Sequence, residues 1–288
     1  MSMTKINWYP GHMKKSVDLI KENLPLVDIL LEVLDARIPL SSKNPDIGRL
    51  TAQKKRIIVL NKIDLVEKKD LVRWTDYFQS ESPGCDVIGL SATKGANFQE
   101  LYRAIGDIAR VKRAKAAEKG LRTVPVRLMA AGIPNVGKSQ LINKIAGKAS
   151  AGVRNIPGFT RGKQWIKIKD GAELLDTPGV LWPRFESEQT GYHLAITGAI
   201  RDDILPVEDV AAWYLNRLIA FGLWPRLCEV YGLDPADETC HPAELMEKIA
   251  LRNHVLKKGG LPNTPQAALS ILRDYRNLRL GKIVLDTF

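Results

Sequence analysis

Residues 132–139 read Gly132-Ile133-Pro134-Asn135-Val136-Gly137-Lys138-Ser139. The spacing is G-x-x-x-x-G-K-[ST], set between an apolar run, VRLMAA, and a helix-forming run, SQLINKIAG. No other feature limits the fold as tightly. A glycine-rich turn from strand to helix lets backbone N–H groups converge on phosphate oxygens, and the helix N-terminus adds partial positive charge. Lys138 then serves the outer phosphates and the Ser139 hydroxyl is placed for Mg²⁺, with Asn135, Val136, Gly137 and Gln140 among the nucleotide contacts. The motif specifies a nucleoside triphosphate and leaves the base open.

Asn61-Lys62-Ile63-Asp64 addresses the base. It ends a β-branched run, and open α/β sheets bind ligands at the carboxyl ends of their strands. Guanine presents a ring N–H and an exocyclic amino group on one edge, and one carboxylate, Asp64, can accept from both. Adenine would leave that carboxylate unpaired, at a cost of about 1–3 kcal/mol. The Lys62 stem can cover the base and Asn61 can tie the turn to its neighbours. Ser91-Ala92 follows the next strand, DVIGL, where a backbone N–H can donate to the guanine carbonyl. Asp176-Thr177-Pro178-Gly179 ends the strand AELLD. Asp176 is placed to hold Mg²⁺ through water, and the Gly179 N–H to sense a γ-phosphate. Thr160, between these two phosphate motifs, offers a second hydroxyl to the metal.

Strand-like and helix-like segments alternate from residue 26 onward, which predicts an α/β domain with a mostly parallel, helix-covered sheet. Asp170-Gly171, between QWIKIK and AELLD, is a hairpin signal that adds one antiparallel strand. After Gly179 the pattern turns helical throughout, in VEDVAAWYLNRLIAFG, PAELMEKIALRNHVLKKGG and TPQAALSILRDYRNLRLG. Residues 1–25 form an N-terminal segment, 26–190 the α/β domain, and 200–288 a small all-helical domain. Residues 111–123 read as an exposed connector, helical in the Ala/Lys-rich part.

Charge is segregated along the chain. Residues 1–200 carry 32 Lys+Arg against 20 Asp+Glu, residues 201–247 carry 3 against 10, and residues 248–288 carry 8 against 2. Two basic regions suit a polyanion such as nucleic acid, or else simply a basic soluble surface. Cys85, Cys228 and Cys240 lack C-x-x-C spacing and read as reduced thiols. No metal spacing links them to His193, His241 or His254. No run reaches the roughly 18–20 apolar residues of a membrane span, so a cytoplasmic location without a membrane partner is expected.

In the common order of GTPase motifs the phosphate loop comes first and N-K-x-D and S-A come last. Here Asn61–Asp64 and Ser91-Ala92 precede the loop. That order, with Trp8-Tyr9-Pro10-Gly11-His12-Met13, Asp35-Ala36-Arg37 and GIPNVGKS, resembles the circularly permuted ribosome biogenesis GTPase A (YlqF) family over the whole chain. The resemblance implies a GTP hydrolase that acts with Mg²⁺ on the large ribosomal subunit and its rRNA during late assembly, as a monomer. Val180 stands where many GTPases carry a water-orienting Gln. Within the resemblance His12 is the residue to position water, though a structural or RNA-contacting role is the alternative. Asn135 is the position at which similar potassium-activated GTPases ligate K⁺. A membrane-associated or signalling GTPase is the competing function, and a module that keeps GTP as a structural ligand is another. The segment after Gly179 leads toward the helical residues, so nucleotide state is expected to set their placement.

Overall fold

The computed structural model describes residues 12–121, 124–147, 164–168, 172–177, 179–182, 185 and 187–288. The chain forms two compact units, one from Asn7–Arg184 with Val284–Phe288 and the other built on Phe185–Ile283.

The first unit is organised by a sheet. Its strands are β1 (Ile29–Asp35), β2 (Lys55–Asn61), β3 (Asp86–Leu90), β4 (Val126–Ala131), β5 (Gln164–Lys167) and β6 (Ala172–Asp176), in spatial order β3-β2-β1-β4-β6-β5. All neighbouring pairs run parallel except β5–β6, the expected hairpin pair. β1 is buried at every position, as a central strand covered on both faces must be. Strand order reverses between β1 and β4, and such a reversal opens a ligand crevice at the carboxyl ends. In register, Asp35, Asn61 and Leu90 end β1, β2 and β3 side by side, while Ala130 pairs with Asp176.

Helices α1 (His12–Asn23), α2 (Pro45–Leu50), α3 (Lys68–Glu81), α4 (Phe98–Glu118) and α5 (Lys138–Ala146) cover the sheet. Ile20 and Ile47 pack with Leu30, Met129, Leu175 and Val180. Trp74 and Phe78 of α3 pack with Leu34, Ile58, Leu60 and Val87. Leu30 and Leu34 share a face of β1, since side chains alternate along a strand. Glu32 therefore lies between the two clusters, 1% exposed, with Arg56 Nη1 3.5 Å from its carboxylate.

α4 runs on to Glu118, so much of the segment expected as a connector is helix. Ala109 and Ala116 are buried along it, and the Lys112 ammonium pairs with Asp28 at 2.5 Å, which anchors a stretch otherwise rich in exposed cations.

The second unit contains α6 (Glu188–Ile196), α7 (Val207–Ala220), α8 (Trp224–Tyr231), α9 (Pro242–Arg252) and α10 (Thr264–Arg276). Tyr214 of α7 and Tyr275 of α10 meet edge to face in its core, ring centroids 5.4 Å apart. The Arg276 guanidinium grips both oxygens of Asp202, at 2.7 and 2.8 Å. α9 stops at Arg252 rather than running to residue 260. His254 takes φ +56°, and Leu256 bridges Pro262 around the Lys257–Gly260 turn, where Gly260 N–H donates to the Lys257 carbonyl.

The residues after 283 depart from the expected domain boundary. Val284–Phe288 belong to the sheet unit. Leu285 N–H donates to the Arg37 carbonyl at 2.9 Å. The Asp286 carboxylate accepts from Ser41 N–H at 2.9 Å and Ser41 Oγ at 2.6 Å. The Phe288 ring stacks on Tyr77 and meets the edge of Trp74. Apolar Val284, Leu285 and Phe288 lie against α3 and the loop after β1.

Candidate nucleotide-binding site

Two motifs that lie over 70 residues apart in sequence share hydrogen bonds at the carboxyl end of the sheet. Asn61 Nδ2 donates to the Val136 carbonyl at 2.8 Å, and Asn61 Oδ1 accepts from Ala92 N–H at 3.0 Å. One amide thus joins the β2 turn to the phosphate loop and to the turn after β3. Lys62 Nζ donates to the Asn135 carbonyl at 2.7 Å and to Asp35 Oδ2 at 2.8 Å. Lys62 and Asn135 both adopt left-handed backbone, at φ +68° and +56°. The two loops are therefore held in uncommon conformations by each other's side chains and carbonyls.

Both motif glycines are required by space. A Cβ on Gly132 would lie 2.4 Å from the Val33 carbonyl oxygen, and one on Gly137 (φ +96°) would lie 2.3 Å from Asn61 Nδ2. α5 begins at Lys138 directly after Gly137 and ends against Gly147 at φ +67°. Lys138 is 7% exposed, and its ammonium donates to the Gly132 carbonyl at 3.1 Å and the Ile133 carbonyl at 2.9 Å. Val136 is buried, while Ser139 and Gln140 are half-buried in the first turn of α5. Ile63 and Asp64 are half-buried in a short 3-10 turn (Ile63–Leu65) after β2.

The segment after β6 is stitched to the same loop. Gly179 leaves no room for a side chain, since a Cβ would sit 2.7 Å from Pro134 N and Cα. Val180 N–H donates to the Gly132 carbonyl at 3.1 Å, and Thr177 Oγ1 donates to the Ala130 carbonyl at 2.6 Å. Val180 is 1% exposed and packs with Ile20 of α1, so the position after Gly179 is a core position. Asp176 ends β6 beside Ala130 of β4. Thr160 lies outside the described residues, as do the side chains of His12 and Asp176 and the segment before His12; the backbone places His12 at the start of α1.

Two further features border the Asn61 turn. Ser91-Ala92 lies beside Asn61, but the Ala92 N–H is already given to Asn61 Oδ1. Lys94 N–H goes to Ser91 Oγ and Gly95 N–H to the Ser91 carbonyl. Thr93, in the same turn, is exposed. Asp35 and Arg37 also join the site. The Arg37 fork donates from Nε to Asp35 Oδ1 at 3.0 Å and from Nη2 to Oδ2 at 2.7 Å. Burial opposes ionisation of Asp35, yet the Arg37 and Lys62 cations outweigh it and hold the carboxyl far below the usual carboxylate range. The sequence signal for Asp35 is its place at the carboxyl end of an apolar run; its neighbour β2 is given by the sheet pairing.

A phosphate loop after β4, a base-reading turn after β2 and a D-x-x-G segment after β6 define a P-loop GTPase, with its motifs in circularly permuted order. The description "50S ribosome-binding GTPase" fits residues 127–220, a match that starts at the phosphate-loop strand and leaves out Asn61–Asp64. Ribosome biogenesis GTPase A of Bacillus cereus is 40% identical over 98% of this chain and 94% of its own. Mitochondrial ribosome-associated GTPase 1 of Xenopus tropicalis is 34% identical over 97% and 94%. A GDP-bound structure of TM YlqF superposes with TM-score 0.65 at 25% identity, covering 93% of this chain and 98% of that one. The chain belongs to the ribosome biogenesis GTPase A family.

Proposed function

We propose that the protein binds GTP at this site and hydrolyses it on the precursor of the large ribosomal subunit, assisting late assembly there. The observation that carries the nucleotide half is the joining of Asn61 and Lys62 to Val136 and Asn135, which brings base-reading and phosphate-binding turns to one crevice. Asp64 accepts from the guanine edge, Lys62 lies along the base, and backbone N–H groups of residues 135–140 with Lys138 hold the phosphates. Ser139, Thr160 and Asp176 would hold Mg²⁺, which when bound offsets phosphate charge. Asn135 would ligate K⁺. The names of the relatives support a ribosomal partner, and the exposed cations of α4 suit rRNA phosphates.

Val180 has no group to orient water and is packed in the core, so intrinsic turnover is slow. His12, at the start of the helix whose Ile20 packs against Val180, is the residue proposed to place the attacking water once the particle is bound. The protein acts as a cytoplasmic monomer. Among the described residues no helix is long and apolar enough to cross a membrane.

The test is GTP turnover in K⁺ buffer with and without purified large subunits, with ATP as control. GTP-specific stimulation by the particle is the expected result. Unchanged turnover with guanine binding intact would remove the ribosomal role, and equal use of ATP would remove the base assignment.

A further inference from the structure

Asp35 is a buried carboxylate at the centre of the crevice, and neither phosphate binding nor base reading accounts for it. Its side chain is 3% exposed and that of Arg37 is 4% exposed. Four donors reach it: Arg37 N–H at 3.1 Å, Arg37 Nε at 3.0 Å, Arg37 Nη2 at 2.7 Å and Lys62 Nζ at 2.8 Å. Its own N–H donates to Ser42 Oγ at 3.0 Å, and the next N–H, of Ala36, to the Asn61 carbonyl at 2.9 Å. A guanidinium fork approaches a carboxylate in one plane, so Arg37 fixes the direction in which Oδ2 is offered. That direction is toward Lys62. Lys62 is a flexible four-carbon stem on a residue whose left-handed backbone its own Cβ disfavours. Without an anion at its tip, its ammonium would face the Arg37 cation and move into solvent.

We propose that Asp35, aimed by Arg37, is a positioning residue for guanine-nucleotide binding: it fixes the Lys62 ammonium between the end of β1 and the Asn135 carbonyl. This rests on the nucleotide reading above and deepens it. Asp35 touches neither base nor phosphate; it holds the base-reading turn and the phosphate loop at a set separation, which a nucleotide spanning both requires. The interaction is made equally with substrate and product. Its loss therefore falls on binding rather than on the chemical step.

The experiment compares the full chain with its Asp35→Asn variant, using a fluorescent GDP analogue and steady-state GTP turnover. Affinity for GDP should fall roughly 10- to 100-fold, the scale of one hydrogen bond to a charged group. KM for GTP should rise in step while kcat stays within about threefold. In Asp35→Asn/Arg37→Met the cation facing Lys62 is gone, and affinity should recover to within about threefold of the parent. A merely structural role predicts the reverse, a double variant worse than the single. A folded Asp35→Asn protein with parental GDP affinity, or no recovery in the double variant, overturns the proposal. If Asp35→Asn does not fold, Arg37→Lys keeps the charge and loses the fork, and an unchanged KM there overturns it equally. Failure of the parent itself to bind GDP would instead sink the nucleotide reading, and this inference with it.

Discussion

Asn61 and Val136 are joined by a hydrogen bond of 2.8 Å, and the Cα of Gly137 approaches the same amide so closely that an added methyl would lie 2.3 Å from it. The phosphate loop thus takes its shape partly from a strand-end turn made some 75 residues earlier. Asn61→Ala removes the donor to Val136 and the acceptor for Ala92. GDP affinity should fall by about 10- to 100-fold in calorimetry, the cost of leaving such groups unpaired. Gly137→Ala should cost more, because it adds a clash to an unfavourable φ. Unaltered binding in both would mean that the loop shapes itself.

Asp286 and Ser41 offer a second test, of stability rather than binding. Two buried hydrogen bonds join them. Asp286→Ala should lower unfolding free energy by about 2–4 kcal/mol, since it leaves buried donors unsatisfied. A double-mutant cycle with Ser41→Ala should give a coupling of about 1–3 kcal/mol in denaturant melts. A coupling near zero would show that the Ser41 hydroxyl bond to Asp286 contributes nothing to holding residues 284–288 in place.

Among the described residues, neither buried carboxylate oxygen of Glu32 has a hydrogen-bond partner, and Arg56 stands nearby at 3.5 Å. Burial raises its pKa, and the Arg56 and Lys43 charges only partly oppose this. A group whose folded pKa is raised contributes stability that is present below its unfolded pKa and lost as pH rises through the folded one. Glu32→Gln should therefore stabilise the sheet unit at pH 8 by on the order of 1 kcal/mol, with the difference from the parent shrinking toward pH 4. A pH-independent difference would refute the assignment. Asp35 has the opposite sign, its contribution being lost as pH falls below the ordinary carboxylate range.

For His12→Ala, particle-stimulated GTP turnover should fall by about 10²- to 10⁴-fold, the range for loss of a group that orients or deprotonates water. GDP affinity should not change. Stimulated turnover equal to that of the parent would leave His12 a structural or RNA-contacting residue.

The parallel sheet and the phosphate loop were legible because their signals are local: an apolar run, glycines at set spacing and a helix start. α3 was not anticipated, because KKDLVRWTDYFQSE is mostly polar and fully buries only Trp74 and Phe78. The end of α9 was misread because a backbone reversal at His254 leaves apolar periodicity intact. Within the site, the motif residues could be named from spacing alone. Asp35's task could not, since it depends on three side chains from two strand ends meeting in space. The place of residues 284–288 was equally hidden, because five residues carry no periodicity and their partners lie far back in the sequence.

That segment also sets an order of events. Ser41 is made 245 residues before Asp286. At about 5–20 residues per second, the typical pace of synthesis, the two are separated by roughly 12 to 50 s. During that interval the helical residues emerge and can fold, whereas the loop after β1 still lacks the chain that will lie on it. The sheet unit is begun first and completed last, so the protein cannot finish its nucleotide-binding half until its helical half has been made.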